Sequence, residues 1–374
     1  MENPFAFSHY VTGEGFCNRK KEVAQMIDYI KSSQNVLLYS HRRQGKSSLI
    51  QQVFNILQKK KPGIGKMHID LYGTVSEQDF IKKVFKGLSQ IESNIDKLFK
   101  SISSAVKTLR FTLAVDPVTS QPSISPTFEA IKEEALLEEV MTLLDRYSQK
   151  KKLVIAFDEF QEVATYTEKG FAKRLRSYIQ GHTNICYIFA GSQQHLLTGM
   201  FNTSDQAFYK LADSFPLATI KETAYVSWIQ KLVSRKKVKL PKKIILDIVT
   251  RLENHPMYIQ NFMFHLWNLL PDQEITIEKV DEIEASILDR KHLEYASMWE
   301  GLTINQKKTL KLVLVNDGRQ LFNADALKSV GLKTGSLVTK ALNVLVKKEI
   351  IVKNGRYCIQ DILLKKWLIK TLEL

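Results

Sequence analysis

Three cysteines in a chain of 374 residues, Cys17, Cys186 and Cys358, form no CxxC pair, which leaves out a zinc knuckle and a disulfide framework and makes them packing residues. Long apolar runs are missing as well: no stretch approaches the ~18 uninterrupted apolar residues of a membrane span. The opening MENPFAFSHY has none of the basic-then-apolar layout of a secretory signal. Together these absences predict a soluble, cytoplasmic protein. Internal repeats and low-complexity tracts are absent too, so repeat-built architectures drop out.

What remains is ordinary globular composition, 44% hydrophobic and 25% charged, in a chain long enough for two or three domains. The charge is less ordinary. The formal net charge is +15, and residues 301–374 hold 14 Lys and Arg against 5 Asp and Glu, so most of the surplus lies at the C-terminal end. A polyanion partner would explain it, and so would a lysine-rich surface that only keeps the chain in solution.

A short apolar, β-branched run followed by a polar turn and a helical pattern recurs at 35–39, 66–71, 152–157 and 185–190, with a fifth candidate at 214–220. Such runs read as strands buried on both faces of a parallel sheet. Amphipathic stretches at 48–60, 76–91, 126–148 and 170–181 lie between them, which makes residues 1–220 an α/β domain with right-handed crossovers. Residues 111–124, FTLAVDPVTSQPSI, break the alternation and read as a hairpin inserted ahead of the third strand. In residues 221–300 helical periodicity takes over, as in AYVSWIQKLV and PMYIQNFMFHLWNLL, giving a small helical domain. Residues 301–374 read as three helices and then IIVKNGRYCI, two strands around an Asn354-Gly355 type I′ turn. That pattern describes a winged helix-turn-helix.

Residues 39–49, YSHRRQGKSSL, have the ending of a phosphate-binding loop and lack its usual first glycine, with Ser40 in that place. Between a strand and a helix such a loop binds phosphate because backbone N–H groups and the helix N-terminus converge on the anion. Ser40, Arg42, Arg43, Gln44, Gly45, Lys46, Ser47 and Ser48 are the candidate nucleotide contacts. Gly45 lets the backbone approach the β-phosphate, Lys46 reaches the β- and γ-phosphates, and Ser47 is the Mg2+ ligand candidate. Ser40 begins the turn rather than lining the phosphates, so a small side chain is tolerable there.

A carboxylate on a neighbouring strand is the second requirement. KKLVIAFDEF supplies Asp158, placed to hold Mg2+ through water, and Glu159, placed to polarise an attacking water. YIFAGSQQ ends a further strand in Gly191, Ser192 and Gln193, of which Ser192 is the candidate for contact with the γ-phosphate or the water.

Phe16, Arg19 and Glu22 in GFCNRKKEV, then RRQGKSSL, FDEFQEV, IFAGSQQHLLTGMF, FYK and HPMYIQ, ahead of a winged helix, make an ordered set over nearly the whole chain. The set resembles the archaeal-type ATPases of archaea and many bacteria, P-loop ATPases near the AAA+ and STAND groups and related to origin-recognition ATPases. The resemblance implies an α/β P-loop NTPase fold of the ASCE/AAA+-like kind, with a parallel sheet of order 5-1-4-3-2, a helical lid, and ATP with Mg2+ bound between them. It also implies that Phe16 and Arg19 lie near the adenine; a helix cap and its staple is the other reading of that pair. Three positions depart from the pattern. Ser40 replaces the first loop glycine, Asn254 stands where glycine often precedes His255 and Pro256, and Lys210 stands where relatives carry arginine. No arginine finger can be assigned; Arg174 and Arg176 are the alternatives to a merely solvated KRLR face.

In VGLKTGSLVTKALNVLVKKEI the apolar set Leu337, Ala341, Val344 and Leu345 makes one helical face, and Lys333, Lys340 and Lys347 recur every seven residues beside it. A recognition helix presents cations to double-stranded DNA in this way, with Lys353 and Arg356 on the wing adding phosphate contacts. A protein-binding or autoinhibitory module is the other reading. The expected activity is Mg2+-dependent ATP binding and hydrolysis, slow or partner-stimulated, that switches the lid and the winged helix. A nucleotide-gated DNA-binding or adaptor protein with negligible turnover is the competing class, and an oligomer is compatible with both. A small-molecule P-loop kinase is disfavoured, because nothing outside the loop resembles a phosphoryl-acceptor site.

Overall fold

Strands and helices follow from a computed structural model, which describes residues 2–88, 90–91, 110–115, 122–127, 133–271 and 274–374. The chain divides into two compact units, Ala6–Ala224 and Tyr225–Leu374 together with Met1–Phe5.

The first unit contains β1 (Val36–Tyr39), β2 (Gly65–Asp70), β3 (Arg110–Val115), β4 (Pro122–Thr127), β5 (Leu153–Asp158), β6 (Ile185–Gly191) and β7 (Asp213–Pro216). Five of these pair in parallel in the order β2-β5-β6-β1-β7. β3 and β4 pair only with each other, antiparallel, with Leu113 opposite Ile124, which is the inserted hairpin. Counting the sheet strands alone and starting from the β7 edge, the order is 5-1-4-3-2, as expected.

Burial explains which strands were easiest to read. β5 and β6 are buried at every residue, whereas β2 alternates buried Gly65, Met67 and Ile69 with half-buried Lys66 and His68, and β7 buries only Phe215. Burial on both faces holds for the inner strands and not for the two edges. Successive side chains of β5 serve opposite cores. Leu153, Ile155 and Phe157 pack with Phe80, Phe160 and Phe189, while Val154 and Ala156 pack with Met26, Ile50 and Phe54.

Helices α1 (Lys20–Lys31), α2 (Lys46–Lys60), α3 (Glu77–Leu88), α4 (Glu133–Lys150), α5 (Phe171–Gly181) and α6 (Gln194–Asn202) flank the sheet. The stretch expected to be helical from 126 is a strand up to Thr127, with Pro122 and Pro126 inside it, and α4 begins at Glu133. Proline lacks the N–H a helix interior needs, so this part of the chain stays extended. The fifth strand stops at Pro216, short of the expected 220.

α3 opens on Glu77, which is fully buried and takes a 2.5 Å ion pair from Arg174 on α5. Arg176 donates to the carbonyl of Ala207 at 2.6 Å. The KRLR face is therefore engaged within its own unit rather than merely solvated. Arg174→Ala is expected to cost about 3–5 kcal/mol, the range for removing one partner of a buried ion pair. Urea unfolding checks this, and an unchanged midpoint would mean the pair is not structural.

The second unit begins within α7 (Glu222–Val233) and continues through α8 (Lys242–Arg251), α9 (Pro256–Leu269) and α10 (Ile277–Glu300). Phe5 packs edge-on against Trp228 and Trp267, at 5.3 and 6.0 Å between ring centres, which ties the N-terminal residues to these helices. Asn254, ahead of His255 and Pro256, has φ +57, so it takes the left-handed conformation of the glycine it replaces. Asparagine is among the few other residues that do so readily.

α11 (Ile304–Val315), α12 (Ala324–Ser329), α13 (Gly335–Lys347), β8 (Ile351–Asn354) and β9 (Arg356–Ile359) are the three helices and wing, and α14 (Ile362–Thr371) adds a helix beyond the expected pattern. Thr303 and Gln306 form a capping box at the start of α11. Two details differ from expectation. The wing register pairs Lys353 with Tyr357 and Asn354 with Arg356, so the turn is centred on Gly355 and is not a two-residue type I′ turn. On α13 the buried face is Val338, Ala341, Leu342 and Leu345, while Leu337 is half-buried and Val344 exposed. Among the described residues no helix is long and apolar enough to cross a membrane.

Candidate nucleotide site

The chain leaves the sheet at Tyr39 and reaches α2 through residues 40–45. Ser40 is buried, keeps a negative φ, and donates its hydroxyl to the His41 carbonyl at 3.1 Å. The left-handed positions are Arg43 (φ +62) and Gly45 (φ +92), not Ser40, which is why the missing first glycine is tolerated. Gly45 caps α2, and the Leu49 N–H bonds back to its carbonyl at 2.9 Å. The N–H groups of the first turn thus open onto the loop.

Lys46 is buried. Burial lowers its ammonium pKa, the charges of Asp158 and Glu159 act the other way, and Arg42 adds to the lowering. Ser47 donates its hydroxyl to Asp158 Oδ2 at 2.5 Å, joining the loop to the end of β5 across 111 residues of sequence. Burial pushes the Asp158 carboxyl up, but hydrogen bonds from His68 and Ser47 and the charge of Lys46 outweigh it and hold the group below the usual carboxylate range. Asp158 is therefore ionised at neutral pH.

Glu159 has φ +52 and sits half-buried at the same strand end. Its Oε2 accepts three hydrogen bonds: from Gln161 Nε2 at 2.6 Å, from Ser192 Oγ at 2.9 Å and from the Ser192 N–H at 3.2 Å. Ser192, just past the end of β6 and expected to face the γ-phosphate or the water, instead holds the Glu159 carboxylate directly. A Cβ on Gly191 would meet Gln161 Oε1, so a larger residue there would displace the Gln161 amide that donates to Glu159.

An open pocket of about 260 Å³ is lined by Tyr10, Arg42, Ser47, Asp70, Tyr72, Asp158 and Glu159. Arg43 is exposed, and Ser48 turns its hydroxyl to accept the Val11 N–H at 3.1 Å. Phe16 packs against the α1–α2 core. Arg19, at the N-cap of α1, is buried and donates to the Ala218 carbonyl at 2.5 Å, to Glu22 at 3.1 Å and to the Gln44 carbonyl at 3.4 Å. Of these residues, then, Arg42 and Ser47 line the pocket, Ser48 is engaged with Val11, and Gln44 gives its carbonyl to Arg19. Burial pushes the Cys17 and Cys186 thiols up to about 12, which removes both as nucleophiles near neutral pH.

Four residues of this region carry little or no sequence signal. Gln161 lies inside FDEFQEV, and its place two residues after Glu159 was the available one. Tyr10, His68 and Asp70 had none, since only the pairing of β2 with β5 brings the last two beside Asp158.

The fold has counterparts among solved structures. The Walker-type ATPase PABY2304 of Pyrococcus abyssi superposes with a TM-score of 0.63 at 18% identity, over 95% of this chain and 96% of that one. The fold is that of a P-loop ATPase ending in a winged helix. Residues 293–370 match the family model of a probable winged helix domain. The ORC2 protein of Aeropyrum pernix, in ADPNP–ADP complexes, has a TM-score of 0.53 at 11% identity, covering 95% of both chains. The ORC1 protein of the same organism, in complex with DNA, has a TM-score of 0.51 at 11% identity, covering 96% of this chain and 94% of that one. No curated protein sequence matches.

Proposed function

We propose that the chain is a Mg2+-dependent ATP-binding and ATP-hydrolysing protein whose nucleotide state controls a winged helix that binds duplex DNA. The observation that carries the proposal is the 2.5 Å contact between Ser47 and Asp158, with Glu159 adjoining and Arg42 lining the same pocket. A hydroxyl and a carboxylate are hard oxygen donors, and Mg2+ is typically held by one or two of these together with substrate phosphates and water. They fit that ion, and when bound it neutralises charge on the β- and γ-phosphates.

In this reading Lys46 and the N–H groups at the start of α2 bind the triphosphate. Glu159 accepts the proton of the attacking water, and Gln161 and Ser192 aim its carboxylate. Arg42 stabilises charge at the γ-phosphate end. Steady-state phosphate release, measured with and without duplex DNA, tests the reading; no Mg2+-dependent release in either condition overturns hydrolysis. The three hydrogen bonds on Glu159 Oε2 favour a second reading, in which ATP is bound and turned over negligibly because the carboxylate is held away from water.

For the winged helix, Lys340 and Lys347 lie exposed on α13, Lys333 is exposed just ahead of it, and Lys353 is exposed beside the Tyr357 ring at 5.6 Å. Arg356 forms an ion pair with Asp317, so its charge is partly answered within the module. The ORC1 likeness to a protein solved with DNA supports the DNA reading over a protein partner. Replacing Lys340 and Lys347 together with alanine is expected to flatten the salt dependence of duplex binding by up to about two log units per log unit of salt, at about 0.9 for each phosphate left unneutralised. All sequences should weaken alike, because phosphate contacts position without specifying. A parent-like slope in a folded variant would assign the module to a protein partner.

A further inference from the structure

His68 belongs to none of the roles above, yet it sits inside the site. On β2 it faces the half-buried side of the strand, and it pairs in register with Ala156, so it lies diagonally across from Asp158 on the same face of the sheet. Its Nε2 is 3.3 Å from Asp158 Oδ2, the same oxygen that accepts from Ser47. Its Nδ1 is 2.7 Å from Gln51 Nε2 on α2, the helix that carries Lys46 and Ser47. Both the imidazole and the carboxylate are nearly closed off from solvent, with side chains 9% and 8% exposed. The Tyr10 ring, 5.7 Å from the imidazole between centres, lies on the pocket side.

These contacts assign the proton. The Gln51 amide donates to Nδ1, so Nδ1 is the acceptor and the ring hydrogen is on Nε2, where it is donated to Asp158. Asp158 is thereby held from two sides, by Ser47 on one and His68 on the other, with its Oδ1 taking the Glu159 N–H at 3.1 Å. We infer that His68 is a positioning residue for the Mg2+-bound nucleotide: it fixes the direction of the Asp158 carboxylate, and Gln51 fixes His68. Residues that orient metal-binding groups through one hydrogen bond commonly change metal affinity ~10- to 100-fold when removed. The inference rests on the proposed Mg2+–nucleotide reading of the pocket.

The test measures ATP affinity by calorimetry on the full chain, in excess Mg2+ and in EDTA, and takes the ratio as the Mg2+ enhancement. In His68→Ala the enhancement is expected to fall about 10-fold or more, with the EDTA affinity within about threefold of the parent's. His68→Gln, whose amide N–H can still reach Asp158, should keep most of the enhancement and guards against a variant that merely folds poorly. An undiminished enhancement in His68→Ala overturns the inference, as does an equal loss of affinity with and without Mg2+, or a His68→Gln chain that loses as much as His68→Ala. If the parent itself shows no Mg2+ enhancement, the Mg2+–nucleotide reading fails instead, and the inference with it.

Discussion

A Lys46→Ala chain is expected to lose at least about a hundredfold in MgATP affinity, about 2.7 kcal/mol. The size of the effect follows from burial. Lys46 is 5% exposed, and its ammonium faces the charges of Asp158 and Glu159 in a setting where water screens little. An anionic triphosphate entering beside these two carboxylates depends on the nearby cations, of which Lys46 is the buried one. Removing it deletes one of the cations that offset the carboxylates facing the phosphates, so the loss combines a missing attraction with a less screened repulsion. Calorimetric titration reads it directly, and an affinity equal to the parent's would remove the loop from the site.

Glu159→Gln should leave ATP affinity within a few-fold of the parent's and lower turnover by about 10²–10⁴. The amide oxygen can still accept from Gln161 and Ser192, which now hold Oε2, so the strand ends keep their arrangement. What the amide cannot do is take a proton. Single-turnover phosphate release separates the outcomes: binding retained with release abolished makes Glu159 the catalytic carboxylate, whereas release at the parent's rate shows that another group serves. A parent chain that binds ATP and hardly turns it over would favour the adaptor reading.

The inner sheet was legible because β5 and β6 are apolar at nearly every position, a pattern that few other environments produce. At the edges the same signal weakens: β2 alternates and β7 shows only Phe215 to the core, so burial on both faces fails at both edges and the expected length fails at β7. Pro122 falls within the hairpin read at 111–124, whereas Pro126 marks extended chain that the helical pattern following it obscures. On α13 the Leu- and Val-rich sequence offers overlapping apolar faces, and packing chose Val338 and Leu342 over Leu337 and Val344. Asp158, Glu159, Ser47 and Ser192 could be found because each ends or begins an element beside a motif. His68 and Gln51 could not, since their partnership depends on strand pairing and helix placement between segments with no shared local pattern.

Arg19 ties two distant stretches into one rigid linkage. Its guanidinium holds the carbonyl of Gln44, within the loop that opens α2, and that of Ala218, two residues past the end of β7. Leu217 is fixed in turn by its N–H to the Tyr39 carbonyl, immediately ahead of the loop. The loop and the chain leaving the sheet therefore cannot shift independently without stranding a buried cation, which is costly. One side chain thus sets both the shape of the loop and the course of the chain that leaves the sheet after β7.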